Sequence, residues 1–287
     1  MVVFKREDDV LVSGHTACAG CGAALIIRTV MRTIGRDAIV VNATGCSEIF
    51  TSCYPLSAWK VPYIHVTFEN AAAVATGISR ALEVKGNDHT QVVVIAGDGA
   101  SYDIGMGLLS GMLERNDNVL YICYDNEAYE NTGIQRSSAT PYKAWTTTSQ
   151  VGEVIRGKPE PKKDLISIVR AHNIPYVASA SPGYLMDLEA KVRKAMTIKG
   201  ARFINVLSPC VPGWKYDPSL TVKIAKLAVD TGIWKLVEIV NGEERITVKP
   251  SFVPVEEYLK LQGRFRHLTP EDIQEIQRQV NRAWGRE

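Results

Sequence analysis

The sequence has neither a long apolar run nor an excess of charge of one sign. Its longest apolar stretches, such as residues 92–96, are far shorter than the roughly 20 residues of a transmembrane helix. The 33 basic and 31 acidic residues give a formal net charge of +2, so the concentrated basic surface of a nucleic-acid binder is missing. The first ten residues are too charged to form a signal-peptide core. We therefore expect a cytoplasmic protein that binds neither membranes nor nucleic acid.

Cysteine is scarce, with six residues in a chain of 287. Six cysteines are too few for a disulfide scaffold of this length, and clustered cysteines in a reducing compartment more often bind metal or carry out redox chemistry. The sequence also contains no internal repeat and no low-complexity segment. The positions of the cysteines therefore carry more information than their number.

Short apolar segments typical of strands alternate with helical patterns along the first two thirds of the chain. The predicted strands are residues 38–44, 63–68, 91–97, 118–124, 174–180 and 201–208. Continuous apolar strands separated by helices are typical of an α/β fold whose mostly parallel sheet is covered by helices on both faces. Ligands of such sheets bind at the carboxyl ends of the strands.

We expect two parts in this chain. Residues 1–209 form the α/β domain, and residues 210–287 form a C-terminal extension that packs on it. The extension contains a possible hairpin at Asn241-Gly242 and a last helix that begins at Thr269-Pro270, where Thr is a favoured N-cap residue and Pro a favoured first helical residue.

The stretch between residues 125 and 165 is polar and rich in Thr, Ser, Gly and Pro. A connection of this length without secondary structure is usually functional or disordered. Its aromatic and glycine content favours an ordered functional loop.

Polar residues follow two of the predicted strands, as a diphosphate and metal site would require. Gly97-Asp98-Gly99 ends one strand, where the glycines allow a phosphate to approach the backbone and Asp98 offers a hard ligand for Mg²⁺. Asn126 and the Ala128 carbonyl follow the next strand and would complete the protein ligands. The tripeptide alone is also typical of a plain tight turn. Together with the Asn at this spacing, it matches the diphosphate-binding motif of thiamine-dependent enzymes.

Four cysteines lie beside the predicted ends of strands and helices, and we expect them to converge at one end of the sheet. They are Cys18, Cys21, Cys46 and Cys210. Four thiolates fit an iron–sulfur cluster, structural zinc or, for the CxxC pair, a redox motif. Their spacing does not separate these alternatives, but the thiamine-type site favours the cluster, because oxidative decarboxylation needs an electron acceptor. The remaining two, Cys53 and Cys123, are interpreted as loop or core residues.

Taken together, these segments resemble the 2-oxoacid:ferredoxin oxidoreductases, and specifically the β subunit of the pyruvate enzymes, from about residue 11 to about residue 240. The resemblance rests on GHTACAGCG, NATGCSE, AWKVPYIHVTFENAAAVATGI, GDGASYDIGMGLL, DNEAYENTGIQ, SATPYKAWTTT and LSPCVPGW. It departs from the family at CVPGW, where CPTGW is common, although Cys210 and Trp214 keep their places.

The resemblance implies the thiamine diphosphate-binding fold, in its diphosphate-type domain, and a role for each candidate residue. The four cysteines named above would ligate a [4Fe–4S] cluster near the thiamine diphosphate. Asp98, Asn126 and the Ala128 carbonyl would hold Mg²⁺. Asn131 would contact the reacting centre.

The resemblance further implies a β subunit that decarboxylates a 2-oxoacid, with pyruvate as our choice, and forms acyl-CoA from coenzyme A. Electrons would pass through the cluster to ferredoxin. A pyrimidine-domain α subunit, a γ subunit and a ferredoxin-like δ subunit are the expected partners. The alternatives are another 2-oxoacid or oxalate as substrate, a non-redox thiamine-dependent decarboxylase subunit with structural zinc, and a non-catalytic metal-stabilised scaffold.

Overall fold

The computed structural model describes residues 9–286, so the charged segment at residues 1–8 lies outside the described residues. The described chain builds one eight-stranded sheet in the order β2-β1-β3-β4-β6-β5-β7-β8. Its strands are β1 Ala38–Ala43, β2 Tyr63–Val66, β3 Gln91–Gly97, β4 Leu120–Asp125, β5 Tyr176–Ala180, β6 Arg202–Leu207, β7 Leu236–Val240 and β8 Glu243–Val248. All pairings from β2 to β5 are parallel, and only the pairings of β7 with β5 and β8 are antiparallel. The predicted mostly parallel sheet is confirmed.

Ten α-helices accompany the sheet in the described residues. They are α1 Gly22–Ile34, α2 Cys46–Thr51, α3 Ala71–Val84, α4 Met106–Glu114, α5 Leu165–Arg170, α6 Leu185–Met196, α7 Val211–Trp214, α8 Thr221–Asp230, α9 Val255–Leu259 and α10 Pro270–Ala283. A π-helical turn, Gly99–Ile104, precedes α4. Within residues 9–286, no helix is long and apolar enough to cross a membrane.

Helices cover both faces of the sheet because the buried strands are apolar on both sides. In β3, Val93 and Ile95 join the core that lies under α1 and α6. Val92 and Val94 join the opposite core, which α3, α4 and α5 cover. Successive side chains of a strand point to opposite faces, so an uninterrupted apolar strand needs cover on both.

The chain after residue 210 extends the sheet and adds a third apolar core around Trp214 and Trp234. The predicted hairpin forms between β7 and β8, and its two turn residues, Asn241 and Gly242, have φ values of 48° and 87°. Positive φ at both residues is the requirement of a type I′ turn. The domain boundary that we expect at residue 210 stays a prediction.

The long connection between β4 and α5 has no strand or helix, as expected. Isolated bridges, such as Tyr129 with Gln135 and Thr146 with Ser149, order it instead. The four neighbouring strands β1, β3, β4 and β6 are parallel and therefore end on the same side of the sheet. Their last residues and the segments that follow them carry every candidate site residue except Cys18 and Cys21, which precede α1.

The cap of α10 provides a test of the fold. The Thr269 side chain accepts a hydrogen bond from the Asp272 backbone, and the Asp272 side chain accepts one from the Thr269 backbone. We expect Thr269→Ala to lower the free energy of unfolding by about 1 kcal/mol, because it leaves a helical N–H without its acceptor. Urea unfolding measures this change. Thr269→Ser keeps the hydroxyl and should stay near wild type, and equal losses in both variants would contradict a capping role.

Candidate active site

The segment after β3, where the diphosphate site is expected, is closely packed. Gly99 begins the π-helical turn, and a Cβ added there would lie 2.4 Å from the Tyr129 ring and 3.0 Å from that of Phe68. A side chain at Gly99 is therefore excluded, because the two aromatic rings occupy its place. The adjacent Asp98 carboxylate is 1% exposed and accepts a hydrogen bond from the Ser137 hydroxyl.

The three candidate Mg²⁺ ligands converge. The side-chain amide of Asn126 lies 2.7 Å from Asp98 Oδ1 and 2.9 Å from the Ala128 carbonyl oxygen. With its nitrogen turned toward these oxygens, the amide donates to both. With its oxygen turned toward them, that oxygen lies from each of the other two at the separation of about 3 Å that octahedral Mg²⁺ imposes on adjacent ligands. The donor set therefore fits Mg²⁺.

The loop after β4 is held at its backbone by distant side chains. The Trp214 indole donates to the Asn126 carbonyl over 2.8 Å, and the Thr140 hydroxyl donates to the Glu127 carbonyl over 2.6 Å. Trp214 belongs to the segment that begins at Cys210, so one hydrogen bond ties that cysteine's helix to the candidate Mg²⁺ loop.

A group of four charged side chains holds the same loop; Asp125, Glu127 and Arg264 are buried, and Lys162 is partly exposed. Lys162 Nζ lies 2.7 Å from Asp125 and 3.0 Å from Glu127, and the Arg264 guanidinium lies 2.6 Å from Glu127. Burial alone would raise the pKa of Glu127, but the charges of Lys162 and Arg264 hold it below its ordinary value. A charge group of this kind is stable only when every member keeps its partner.

Three of the four candidate cluster cysteines lie at the beginnings of helices, and Cys18 lies in the loop before α1. Cys21 is the N-cap of α1, Cys46 is the first residue of α2, and Cys210 is the N-cap of α7. Backbone N–H groups of Ala23 and Ala24 act on Cys21, and that of Gly213 acts on Cys210, each lowering the pKa of its thiol against the effect of burial. Free N–H groups of this kind stabilise thiolates.

The four thiols share one neighbourhood. The pKa of Cys46 is raised to about 12, first by burial and then by nearby charges that include Cys21 and Cys18. Burial also raises the pKa of Cys210, with Cys46 and Cys21 adding to the effect. The loop of Cys18 and Cys21 is held in place by the Gly22 N–H, which donates to the Pro209 carbonyl beside Cys210. The four thiols therefore act on one another electrostatically, and their convergence on one cluster stays a prediction.

No three His, Cys, Asp or Glu side chains in residues 9–286 are gathered around a point where one metal ion would bind. The candidate Mg²⁺ set contains only one such side chain, because its other ligands are an amide and a carbonyl. A cubane cluster binds each thiolate at a different iron, so its four ligands need not meet at one point as the ligands of tetrahedral zinc do.

A cleft of about 80 Å³ lies between the segment that follows β1 and the segments that follow β3 and β4. Its walls include Cys46, Asp98, Asn126 and Asn131. Asn131 is exposed, and its side chain has no hydrogen-bond partner in the described residues, since Thr132 makes the side-chain bonds of this turn. Asn131 is therefore free to meet a ligand in the cleft.

Comparison with known proteins agrees with this geometry. Residues 43–206 match the thiamine pyrophosphate enzyme, C-terminal TPP binding domain. Pyruvate synthase subunit PorB of Methanocaldococcus jannaschii is 52% identical over 286 residues, covering 97% of this chain and 96% of the relative. The chain belongs to the family of 2-oxoacid:ferredoxin oxidoreductase β subunits.

The relatives of this chain are named for more than one substrate. Pyruvate synthase subunit PorB of Pyrococcus furiosus is 47% identical and covers 94% of this chain and 91% of its own. Ketoisovalerate oxidoreductase subunit VorB of Pyrococcus abyssi is also 47% identical and covers 96% and 91%. A solved structure of 2-oxoglutarate:ferredoxin oxidoreductase from Magnetococcus marinus shares the fold, with a TM-score of 0.62 at 20% identity, over 99% of this chain and 92% of that one.

Several residues of the β-subunit site lie outside the sequence expectations. Lys162 and Arg264 come from distant loops, and no local pattern marks them. Glu130 directly precedes the expected Asn131, yet neither of its buried carboxylate oxygens accepts a hydrogen bond from an N–H or O–H group in the described residues. Burial raises the pKa of Glu130 to about 7. Of the two cysteines without an assigned role, Cys123 is buried in β4 and Cys53 is exposed.

The role of Asp98 is open to a direct test. Asp98→Asn keeps the size and the acceptor for Ser137 but removes the charge that Mg²⁺ needs. We expect thiamine diphosphate affinity to fall by about 100-fold or more, with the cluster colour retained, because the cysteines lie on other loops. Calorimetric titration of the purified complex measures the affinity.

Asp103→Asn is the matched control. Asp103 lies on the same turn, but it accepts hydrogen bonds from Tyr129 and Ser138 and is not a candidate ligand. Loss of both cofactors in Asp98→Asn would instead indicate that Asp98 serves folding.

Proposed function

We propose that this chain is the cytoplasmic β subunit of an enzyme that oxidatively decarboxylates pyruvate with coenzyme A to acetyl-CoA and CO₂ and passes the electrons to ferredoxin. The observation that carries the proposal is the cleft that sets Asp98 and Asn126, two of the candidate Mg²⁺ ligands, beside Cys46, one of the four candidate cluster cysteines. Most curated relatives reported above are named for pyruvate, and this favours pyruvate over 2-oxoisovalerate, 2-oxoglutarate or oxalate.

The candidate residues of this chain form two groups, one for Mg²⁺ and the diphosphate and one for the cluster. Asp98, Asn126 and the Ala128 carbonyl hold Mg²⁺ against the diphosphate, and Gly99 keeps the backbone open beside it. The four cysteines hold a [4Fe–4S] cluster. When bound, thiamine diphosphate supplies the nucleophilic carbon and the electron sink for decarboxylation, and the cluster accepts electrons one at a time. Asn131, which is exposed and lines the cleft, orients the substrate through its amide.

A single chain supplies only the diphosphate half of this site. The pyrimidine-binding half and the clusters that carry electrons onward belong to partner subunits, namely an α subunit with the pyrimidine domain, a γ subunit and a ferredoxin-like δ subunit. The relatives named as subunits support assembly with partners.

The complete complex, purified without oxygen, tests the function. We expect pyruvate, with coenzyme A and ferredoxin, to give a higher kcat/KM than 2-oxoisovalerate, 2-oxoglutarate or oxalate. We also expect visible absorbance that dithionite bleaches. A colourless, zinc-containing complex that releases CO₂ without reducing ferredoxin would support the non-redox decarboxylase instead.

Asn131 has its own test. Asn131→Ala should leave both cofactors bound and lower kcat about 10-fold to 1000-fold, the range for losing one stabilising donor. Asn131→Asp separates the two roles of the residue, because Asp supports a turn as well as Asn does but offers no N–H donor. Steady-state kinetics at full cofactor occupancy decide between them, and near-normal turnover in Asn131→Asp would reduce Asn131 to a turn residue.

A further inference from the structure

Tyr124 lies between the segment that follows β1 and the end of β3, and it contacts both. It is the penultimate residue of β4, and it is 2% exposed. A Cβ added to Gly97 would lie 3.3 Å from its ring, and one added to Gly45 would lie 3.0 Å from its hydroxyl oxygen. One buried side chain therefore separates the loop that precedes Cys46 from the diphosphate loop.

The beginning of α2 lacks the usual cap. Its N-cap residue is Gly45, with φ of 155° and no side chain, so it makes no capping hydrogen bond. The first N–H groups of a helix need acceptors from outside the helix. Here the Ser47 N–H donates to the Tyr124 hydroxyl oxygen over 3.3 Å. A side chain of strand β4 thus provides the acceptor that Gly45 lacks.

The hydroxyl also belongs to a buried polar chain. Ser47 Oγ lies 3.1 Å from the Tyr124 hydroxyl and 2.7 Å from Asn42 Oδ1, and the Asn42 amide donates to the Tyr63 hydroxyl over 3.2 Å. These contacts fix the hydroxyl of Tyr124 in one position. The capped turn begins with Cys46, so the same contacts fix the backbone of that cysteine.

We propose that Tyr124 is a positioning residue that caps the Cys46 helix with its hydroxyl and supports the diphosphate loop with its ring. It thereby holds the cluster ligand Cys46 and the Mg²⁺ ligand Asp98 at a constant spacing. This inference rests on the proposed function, because it takes both cofactors as bound at these loops.

Two substitutions separate the hydroxyl from the ring. Tyr124→Phe keeps the ring contacts but leaves the Ser47 N–H buried without its acceptor. Tyr124→Leu removes the ring as well. We expect Tyr124→Phe to release the four irons of this cluster to an excess of chelator about 10-fold faster than wild type, from the cost of one unsatisfied buried donor, with thiamine diphosphate affinity within about twofold of wild type. Tyr124→Leu should weaken both.

Tyr121→Phe is the matched control. Tyr121 is also a buried tyrosine of β4, and its hydroxyl also lies beside a serine, 3.0 Å from Ser101 Oγ. It points to the opposite face, away from Cys46. Both Phe variants lose one buried hydroxyl and should lose similar thermal stability, but only Tyr124→Phe should change the rate of iron release. Chelator absorbance and the electron paramagnetic resonance of the cluster measure this rate in the intact complex.

The outcomes are distinguishable. Equal iron release in Tyr124→Phe and Tyr121→Phe would overturn the capping role. A wild-type complex that contains no iron on this chain would overturn the proposed function itself, before any variant is compared.

Discussion

Parallel pairing of β1, β3, β4 and β6 is the constraint on which the site depends. Parallel neighbours end at the same edge of a sheet, so the loops that follow these four strands meet although they are far apart in sequence. The pairing of Gly97 with Tyr124 and of Asp125 with Leu207 sets the levels at which Asp98, Asn126 and Cys210 emerge. A slip of one residue would reverse every side chain between the two faces, so the two apolar cores that fix the register also fix the site.

Register alone does not determine the path of the loop after β4. Glu127 has φ of 69°, a conformation that costs free energy in a residue with a side chain. Its carboxylate is held by Lys162 and Arg264, and the Arg264 guanidinium lies 3.8 Å from the centre of the Trp214 ring. The strain is thus offset by contacts from two distant segments, which lock the backbone where Asn126 and the Ala128 carbonyl must point toward Asp98.

The fold class, the strands, the hairpin and the last helix could be predicted because each depends on local pattern. The apolar strand 91–97, the Asn241-Gly242 turn and the Thr269 cap are all encoded within a few consecutive residues. Lys162, Arg264 and Tyr124 could not be predicted in their roles, because an ordinary lysine, arginine or strand tyrosine has no local signal for a partner that topology brings near. The motif residues Asp98, Asn126 and Cys46 could be proposed because residue types that bind metals directly follow predicted strands. The side chains that contact and support these motif residues could not be proposed in the same way.

The acidic and thiol groups around the candidate site lie in surroundings that oppose their negative charge. Asp98, Glu130, Cys46 and Cys210 form no salt bridge within residues 9–286. Burial raises the pKa of each, and the charge of Glu130 adds to the effect on the other three. A bound metal reverses this order, because it favours the deprotonated form of every ligand and releases protons as it binds. Packing that gathers acidic and thiol donors therefore costs free energy. Under the proposed function, Mg²⁺ and iron would recover this cost, which would link cofactor loading to the stability of the part of the sheet that carries the site.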